Sequence, residues 1–202
     1  MELDHIAVGG ATLDEAVAYV EDALGVPLQP GGRHAQFSTH NRLLGLADGL
    51  YLEAIAIDPE APPPVQPRWF GLDHLSGAPR LVSWICRTPD LTAALQDLPD
   101  SAGFPVPLAR GDLRWHMAVP ADGVLPYDGI FPALIEWHGD LHPSAMLPGQ
   151  GCALHRLVIS HPCANDLVEL LPDLRAPLVQ FEPGAPGLMA EIETPHGLRT
   201  LT

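Results

Sequence analysis

The hydrophobic pattern of the first 57 residues predicts one strand, one helix and three further strands. A mostly apolar run opens the chain, and Thr12 followed three residues later by Glu15 is typical of a helix start. Apolar residues at helical spacing continue until Gly25, which marks the helix end. The predicted elements are a strand at residues 2–9, a helix ending near Leu24, and strands at residues 34–38, 41–47 and 50–57.

The same order of elements recurs twice further along the chain. Repeated prolines mark residues 58–79 as a linker, and Arg68-Trp69-Phe70-Gly71-Leu72 within it is expected to pack back on the body. The second round has a helix at 88–98 and strands at 81–87, 113–119 and 131–137. The third and weaker round has a helix at 162–171 and strands at 154–160, 178–181, 188–194 and 198–201. We predict an α+β protein of repeated βαβββ modules at residues 1–57 and 80–140, with a third, C-terminal βαβββ-like unit at 152–202.

Composition supports a globular chain and indicates its compartment. The 202 residues are 47% hydrophobic, with 23 prolines and 19 glycines, so a sizeable core and many turns are expected. No apolar run approaches the roughly 20 residues of a membrane-spanning helix, and the N-terminus lacks the features of a signal peptide. We therefore expect a cytoplasmic protein without a membrane partner. Cys86, Cys152 and Cys163 form no CxxC pair and are expected to be buried, reduced thiols.

The charge pattern excludes several classes of function. The chain has 25 acidic and 10 basic residues, a formal net charge of -15, and no lysine. Nucleic-acid binding is not expected, because this chain cannot assemble a basic stripe against phosphates. Lysine Schiff-base chemistry and a Walker-type phosphate loop are excluded, since both require lysine. Ten histidines are the main acid–base and metal-binding resource.

Two polar residues interrupt the apolar strands of the first module. His5 lies on its first strand and Glu53 on its last strand. Aligning the repeats by their helix starts puts Ser83 at the position of His5, and Glu136 lies on the last strand of the second module as Glu53 does on the first. A buried carboxylate is costly unless it is paired or binds a metal. The sequence therefore leaves two readings open, metal ligation or pairing with arginines such as Arg42 and Arg114, and His5 could equally be a structural core histidine.

This arrangement resembles the vicinal oxygen chelate superfamily, which includes glyoxalase I, extradiol dioxygenases, methylmalonyl-CoA epimerase and bleomycin-resistance proteins. The resemblance covers about residues 2–140. Within the superfamily, the sequence resembles a group of glyoxalase-like domains most specifically. It implies a curved mixed sheet around a cleft. The motifs that carry it are Leu3-Asp4-His5, Pro30-Gly31-Gly32-Arg33-His34, Thr39-His40-Asn41, Tyr51-Leu52-Glu53 and Arg68-Trp69-Phe70-Gly71-Leu72.

The resemblance also implies a site. It makes His5, Glu53 and Glu136 the metal ligands, with Glu53 and Glu136 as the groups that move protons, whereas Ser83 replaces the fourth ligand. The cofactor would be a divalent ion such as Zn, Ni, Mn or Fe(II), which suits nitrogen and oxygen ligands. The fourth ligand position falls to water or to His40, His116 or His138. The expected substrate-binding residues are Arg33, His34, His40, Asn41, Arg42 and Ser83, of which Arg33 or Arg42 would steer an anionic group.

Three functions fit this sequence. The first is a metal-dependent lyase or isomerase acting on a small, oxygen-rich substrate in the cleft. The second is a resistance-type protein that binds a small molecule without chemistry, which the missing ligand at Ser83 favours. The third is an extradiol-type dioxygenase, whose family site requires a second histidine where Ser83 stands. The C-terminal unit does not repeat the His5 and Glu53 pair, and it is expected to cover a sheet edge or to form a homodimer.

Overall fold

The computed structural model describes residues 1–202. Twelve strands form two β-sheets, and four helices connect them. The first module comprises β1 (Glu2–Gly9), α1 (Leu13–Leu24), β2 (Gln29–His34), β3 (Thr39–Gly45) and β4 (Tyr51–Ile57). The second comprises β5 (Arg80–Arg87), α2 (Leu91–Gln96), β6 (Phe104–Arg110), β7 (Leu113–Val119) and β8 (Ala133–His138). After α3 (Pro143–Met146), the C-terminal unit comprises β9 (Ala153–Ser160), α4 (Ala164–Leu170), β10 (Val179–Glu182), β11 (Gly187–Thr194) and β12 (Gly197–Leu201).

The first two modules share one eight-stranded sheet with the order β2-β3-β4-β1-β5-β8-β7-β6. In each module the first strand pairs in parallel with the last, so β1 pairs with β4 and β5 with β8. The two modules join through the antiparallel pair of β1 and β5 at the centre of the sheet. This mixed, curved sheet confirms the predicted α+β fold of repeated modules around a cleft.

The two strands that the sequence placed worst are the two edge strands. No strand was predicted at β6, because Pro105 and Pro107 break its pattern. The strand β2 was expected at 34–38 but begins at Gln29 and includes Pro30. Proline cannot donate to a strand ladder, so it is tolerated at a sheet edge, and both strands lie there.

The C-terminal unit has the predicted βαβββ order of elements but a different pairing. Its strand β9 pairs in parallel with β10, the strand directly after the helix, and antiparallel with β11. This second sheet, β10-β9-β11-β12, packs against the centre of the large sheet, where the Trp84 and Phe181 rings lie 6.0 Å apart. The backbone N–H of Leu81 also donates to the carbonyl of Thr202. The unit therefore covers the face of β5 that points away from the cleft.

The linker at 58–79 contributes to the core as predicted. A 3-10 segment at Trp69–His74 buries Trp69, Phe70 and Leu72. The cysteine expectation is confirmed for Cys86 and Cys152, but Cys163 is exposed because it lies at the start of α4 on the surface. No helix is both long and apolar enough to cross a membrane.

Candidate active site in the sheet cleft

His5 lies on the concave face of the large sheet and is held there by Asp4. The register pairs His5 with Tyr51, and their rings stack with centroids 4.2 Å apart. A register shift between Leu3 and His5 disrupts the ladder at this point, which lets the consecutive side chains of Asp4 and His5 meet. The His5 Nδ1–H donates to Asp4 Oδ1 over 2.6 Å, so the ring orientation is fixed and its Nε2 points into the cleft.

Asp4 is fully buried and serves as an anchor for three donors. Its Oδ2 accepts from Trp137 Nε1 at 3.1 Å and from His142 Nε2 at 3.0 Å. Burial alone would raise the pKa of this carboxyl, but the hydrogen bonds from His142 and His5 outweigh burial and hold the pKa well below its usual range. Asp4 therefore stays ionised beside His5.

Glu53 faces His5 from the neighbouring strand β4. Its Oε1 lies 3.6 Å from His5 Nε2, and its Oε2 accepts from Asn41 Nδ2 at 2.7 Å. Burial alone would raise its pKa, but the His5 hydrogen bond and charge outweigh burial and lower it. Burial would likewise lower the pKa of His5, yet Asp4 and Glu53 raise it from 6.5 to about 9. The free cleft therefore holds an imidazolium between two carboxylates.

Arg110, from the end of β6, closes the cleft above this pair. Its Nη1 lies 3.3 Å from His34 Nε2 and donates to Asn41 Oδ1 at 3.3 Å. The backbone of Gly32 lies so close that an added Cβ would stand 2.5 Å from Arg110 Cδ, so glycine makes room for this arginine. Burial lowers the pKa of His34 to about 4, so this ring is neutral and its Nε2 can accept from Arg110.

Large apolar side chains form the remaining walls. The cavity is open to solvent, and its innermost volume is about 30 Å³, roughly the space of a single water molecule. A larger substrate would extend out of the cavity mouth or displace wall side chains. The wall residues are Tyr51, Trp69, Phe70, Trp115, Met117, Ile135 and Trp137.

Comparison with known families identifies the chain. Residues 3–175 match the family model of the glyoxalase-like domain, which is most of the chain. The protein belongs to the glyoxalase-like domain family. The family is part of the vicinal oxygen chelate superfamily, as the resemblance of the sequence motifs had indicated.

The chain is similar to several solved structures, and the two with TM-scores above 0.5 share its fold at low sequence identity. A hypothetical protein from Staphylococcus aureus is 14% identical, covers 92% of this chain and 87% of its own, and has a TM-score of 0.62. The Mn(II)-bound glyoxalase from Novosphingobium aromaticivorans is 11% identical, with coverages of 98% and 80% and a TM-score of 0.52. Methylmalonyl-CoA epimerase from Mycobacterium tuberculosis is 21% identical, with coverages of 71% and 91% and a TM-score of 0.45. No curated protein matches the sequence.

Four of the residues predicted for this glyoxalase-like cleft come together in it. His5, His34, Asn41 and Glu53 line one cavity. They share a face because the register pairs His34 with Thr39, places Asn41 two residues from Thr39 on β3, and sets Glu53 opposite Leu43.

The other predicted substrate-binding residues lie elsewhere. Arg33, His40 and Arg42 alternate with the cleft residues of β2 and β3, so they point to the opposite face. Arg33 pairs there with Asp58 and Glu60. Ser83 is buried and its hydroxyl lies 3.5 Å from the carbonyl of Trp84, which places it outside the cavity. The structure does not bring these four predicted substrate-binding residues into the cleft cavity.

Glu136 is also separated from His5 and Glu53. Its neighbours on β8, Ile135 and Trp137, face the cleft, whereas Glu136 Oε2 accepts from the N–H of Leu91 at the start of α2. The structure therefore does not bring His5, Glu53 and Glu136 together as one three-ligand site. Alternation along β8 directs Ile135 and Trp137 into the cleft and Glu136 to the opposite face. There the first N–H of α2 satisfies one oxygen of the Glu136 carboxylate.

The cleft offers two ligand atoms that are placed to bind one divalent ion. The two ligand atoms, His5 Nε2 and Glu53 Oε1, stand 3.6 Å apart, and two atoms bound to one tetrahedral ion at about 2.1 Å lie about 3.4 Å apart. Asp4 orients His5 through Nδ1, as carboxylates do for metal-binding histidines. No third imidazole, amide or carboxylate is free to complete the set, because His34, Asn41 and Arg110 bond one another or Glu53.

Several cleft residues were missed by sequence reasoning. Arg110 lies in an unpredicted strand, and His142 lies in the segment between the second module and the C-terminal unit. Tryptophans on strands are usually core residues, so the aromatic wall carried no distinct signal. Only Asp4 carried a usable signal, since it is a carboxylate beside the predicted ligand His5 in an apolar strand.

Proposed function

We propose that this protein is a metal-dependent lyase or isomerase of the glyoxalase type that acts on a small, oxygen-rich anion in the cleft. One observation carries this proposal: His5 and Glu53 face each other in a buried cavity, and Asp4 and Asn41 fix them from behind. Buried titratable groups with strongly shifted pKa values, held in a cavity by partners of their own, are typical of active sites.

His5 and Glu53 would hold the divalent ion, and solvent or substrate oxygens would fill the remaining positions. When bound, such an ion supplies a Lewis acid that polarises substrate oxygens. Ion binding requires His5 Nε2 to be unprotonated, so a proton must leave His5 first. Asp4 keeps the Nδ1 proton in place, which commits Nε2 to the cleft.

Glu53 is the group best placed to move a substrate proton. Asn41 holds Oε2, so Oε1 is the oxygen that faces the cavity. The lowered pKa keeps this carboxylate ionised at neutral pH, as a general base must be. Because the same Oε1 is the proposed ligand, it would have to be free of the ion when it takes a proton from a substrate carbon next to a carbonyl group and returns it to a neighbouring atom.

Arg110 would bind the anionic group of the substrate. It is the one arginine that lines the cleft, and its guanidinium is shared between His34 and Asn41 rather than paired with a carboxylate. An incoming carboxylate offers Arg110 a charge-assisted, bidentate partner in place of these neutral ones. Arg110 would then leave His34, which enlarges the cavity, while the aromatic walls exclude water.

Metal content and a substrate screen test the proposal together. Purified protein is loaded with Zn, Ni, Mn or Fe(II) and assayed with hemithioacetals, acyl-CoA esters and catechols. We expect His5→Ala and Glu53→Gln to lose the cleft ion and all turnover, whereas Arg42→Met, on the outer face, behaves as wild type. A cleft that binds no ion under any of these conditions would sink the proposal.

A small-molecule-binding protein without chemistry is the second candidate. The observation that favours it is the incomplete donor set, with two protein ligands and Ser83 and Glu136 directed elsewhere. The same screen separates the two functions. Saturable binding of a compound that is recovered unchanged, with Glu53→Gln binding it equally well, would support this candidate.

A further inference from the structure

We infer that the outer face of β7 and β8 carries a second, structural site for a divalent transition-metal ion, formed by His116, Glu136 and His138. This site is separate from the cleft, and the inference does not depend on the proposed function. One ligand atom from each of the three residues lies within 4.8 Å of the other two. They form the only such group of three in the structure.

Strand geometry brings these ligands together. In the antiparallel pair, His116 stands directly opposite Glu136, and His138 lies two residues further along β8 on the same face. The His138 Nε2 lies 2.9 Å from His116 Nδ1, and the His138 Nδ1 lies 3.8 Å from Glu136 Oε1. An ion takes only one of the two His138 nitrogens. With one ligand atom from each residue, the three atoms lie within 4.8 Å of one another, so side-chain rotations would bring them to the roughly 3.4 Å separations of ligands on one ion.

The surroundings suit an ion rather than a salt bridge. The nearest arginine on the strand pair, Arg114, donates to the carbonyls of Gly111 and Leu113 and leaves Glu136 without a cationic partner on this side. The side chains of His138 and Glu136 are 40% and 20% exposed, so water can reach the site and complete the shell. Two imidazoles and one carboxylate favour Zn²⁺ and its neighbours over Mg²⁺ or Ca²⁺.

The position of the site gives it a structural consequence for the cleft. Trp137 lies between two of the ligands in the sequence but faces the cleft, where its Nε1 donates to Asp4, which holds His5. The second carboxylate oxygen of Glu136 accepts from Leu91 at the start of α2. An ion here would tie together β7, β8 and α2 behind the cleft wall.

The test uses the full chain stripped of metal and titrated calorimetrically with Zn²⁺ alone. In a His5→Ala background, which removes the cleft ligand, we expect one Zn²⁺ to bind and the unfolding midpoint to rise by about 5 to 10 °C at saturating Zn²⁺. Adding His116→Ala, Glu136→Gln or His138→Ala should each weaken binding by at least about tenfold. His155→Ala, an exposed histidine on β9, is the control and should change nothing.

The outcomes separate the two metal sites. A Zn²⁺ that survives His5→Ala but is lost in His138→Ala supports the outer site, whatever happens in the cleft. A single Zn²⁺ that is lost in His5→Ala and kept in His138→Ala overturns the outer site and leaves the cleft proposal standing. Because all three outer residues are partly exposed, their variants should fold, and an unchanged circular dichroism spectrum verifies this.

Discussion

The two modules share one strand order but supply opposite halves of the cleft. The first module provides the polar groups, namely His5, His34, Asn41 and Glu53. The second provides Trp115, Met117, Ile135 and Trp137, with Arg110 as its one charged contribution. A repeated fold thus places equivalent positions symmetrically, while the residue at each position decides which half carries the polar and titratable groups and which half is apolar.

Substituting equivalent positions of the two modules tests this difference between them most directly. His5→Ala removes the proposed ligand, and we expect cleft metal affinity to fall by at least about 100-fold. Ser83→Ala changes the matching position of the second module and should leave affinity unchanged. Both are measured by titration with the metal in a His138→Ala background. Equal losses would contradict the assignment of chemistry to the first module.

Arg110 tests the one charged residue that the second module contributes. Arg110→Met should weaken binding of an anionic substrate by about 30- to 150-fold, because a charge-assisted hydrogen bond contributes about 2 to 3 kcal/mol. Arg42→Met is the control on the outer face of the first module. Competition binding with a carboxylate ligand found in the screen measures both. If Arg42→Met had the larger effect, the anion would lie outside the cleft.

The charge of His5 makes the stability of the metal-free protein depend on pH. The pKa of His5 is raised from 6.5 to about 9, so its contribution to stability is fully present below pH 6.5 and is lost as pH rises through about 9. The free energy of unfolding should fall by up to about 3 kcal/mol in that interval. Urea denaturation at pH 6 and 9.5, with a chelator present, measures the loss. In His5→Gln the loss should vanish, and an equal loss there would contradict this origin.

Substitutions in the aromatic wall of the cleft should give the smallest change in stability. Trp137→Phe keeps most of the packing but deletes the hydrogen bond to Asp4, and we expect a loss of about 1 to 2 kcal/mol of stability. Trp115→Phe is the matched control, since its ring contacts the same wall without such a bond to Asp4. Denaturant midpoints compare the two. A larger loss for Trp115→Phe would show that packing, not the anchoring of Asp4, decides stability here.

The sequence predicted the fold better than the site, for physical reasons. Hydrophobic periodicity and helix caps define the modules, and the register of neighbouring strands then places His5, Asn41 and Glu53 together. Glu136 shows a limit of strand alternation as a predictor. The alternation indicates which residues share a face of the strand, but not which face lines the cleft. Arg110 shows another, since its reach depends on Pro105 and Pro107 sitting in an edge strand and on the space above Gly32.

In the proposed function, His5 and Glu53 hold one divalent ion in the cleft, apart from the group on the outer face. Anomalous X-ray diffraction from crystals grown with Mn²⁺ or Zn²⁺ tests it directly. We expect an anomalous peak between His5 Nε2 and Glu53 Oε1, and this peak should be absent in Glu53→Gln crystals. Crystals in which saturating metal gives no peak in the cleft, with or without a peak at His116 and His138, would contradict the claim.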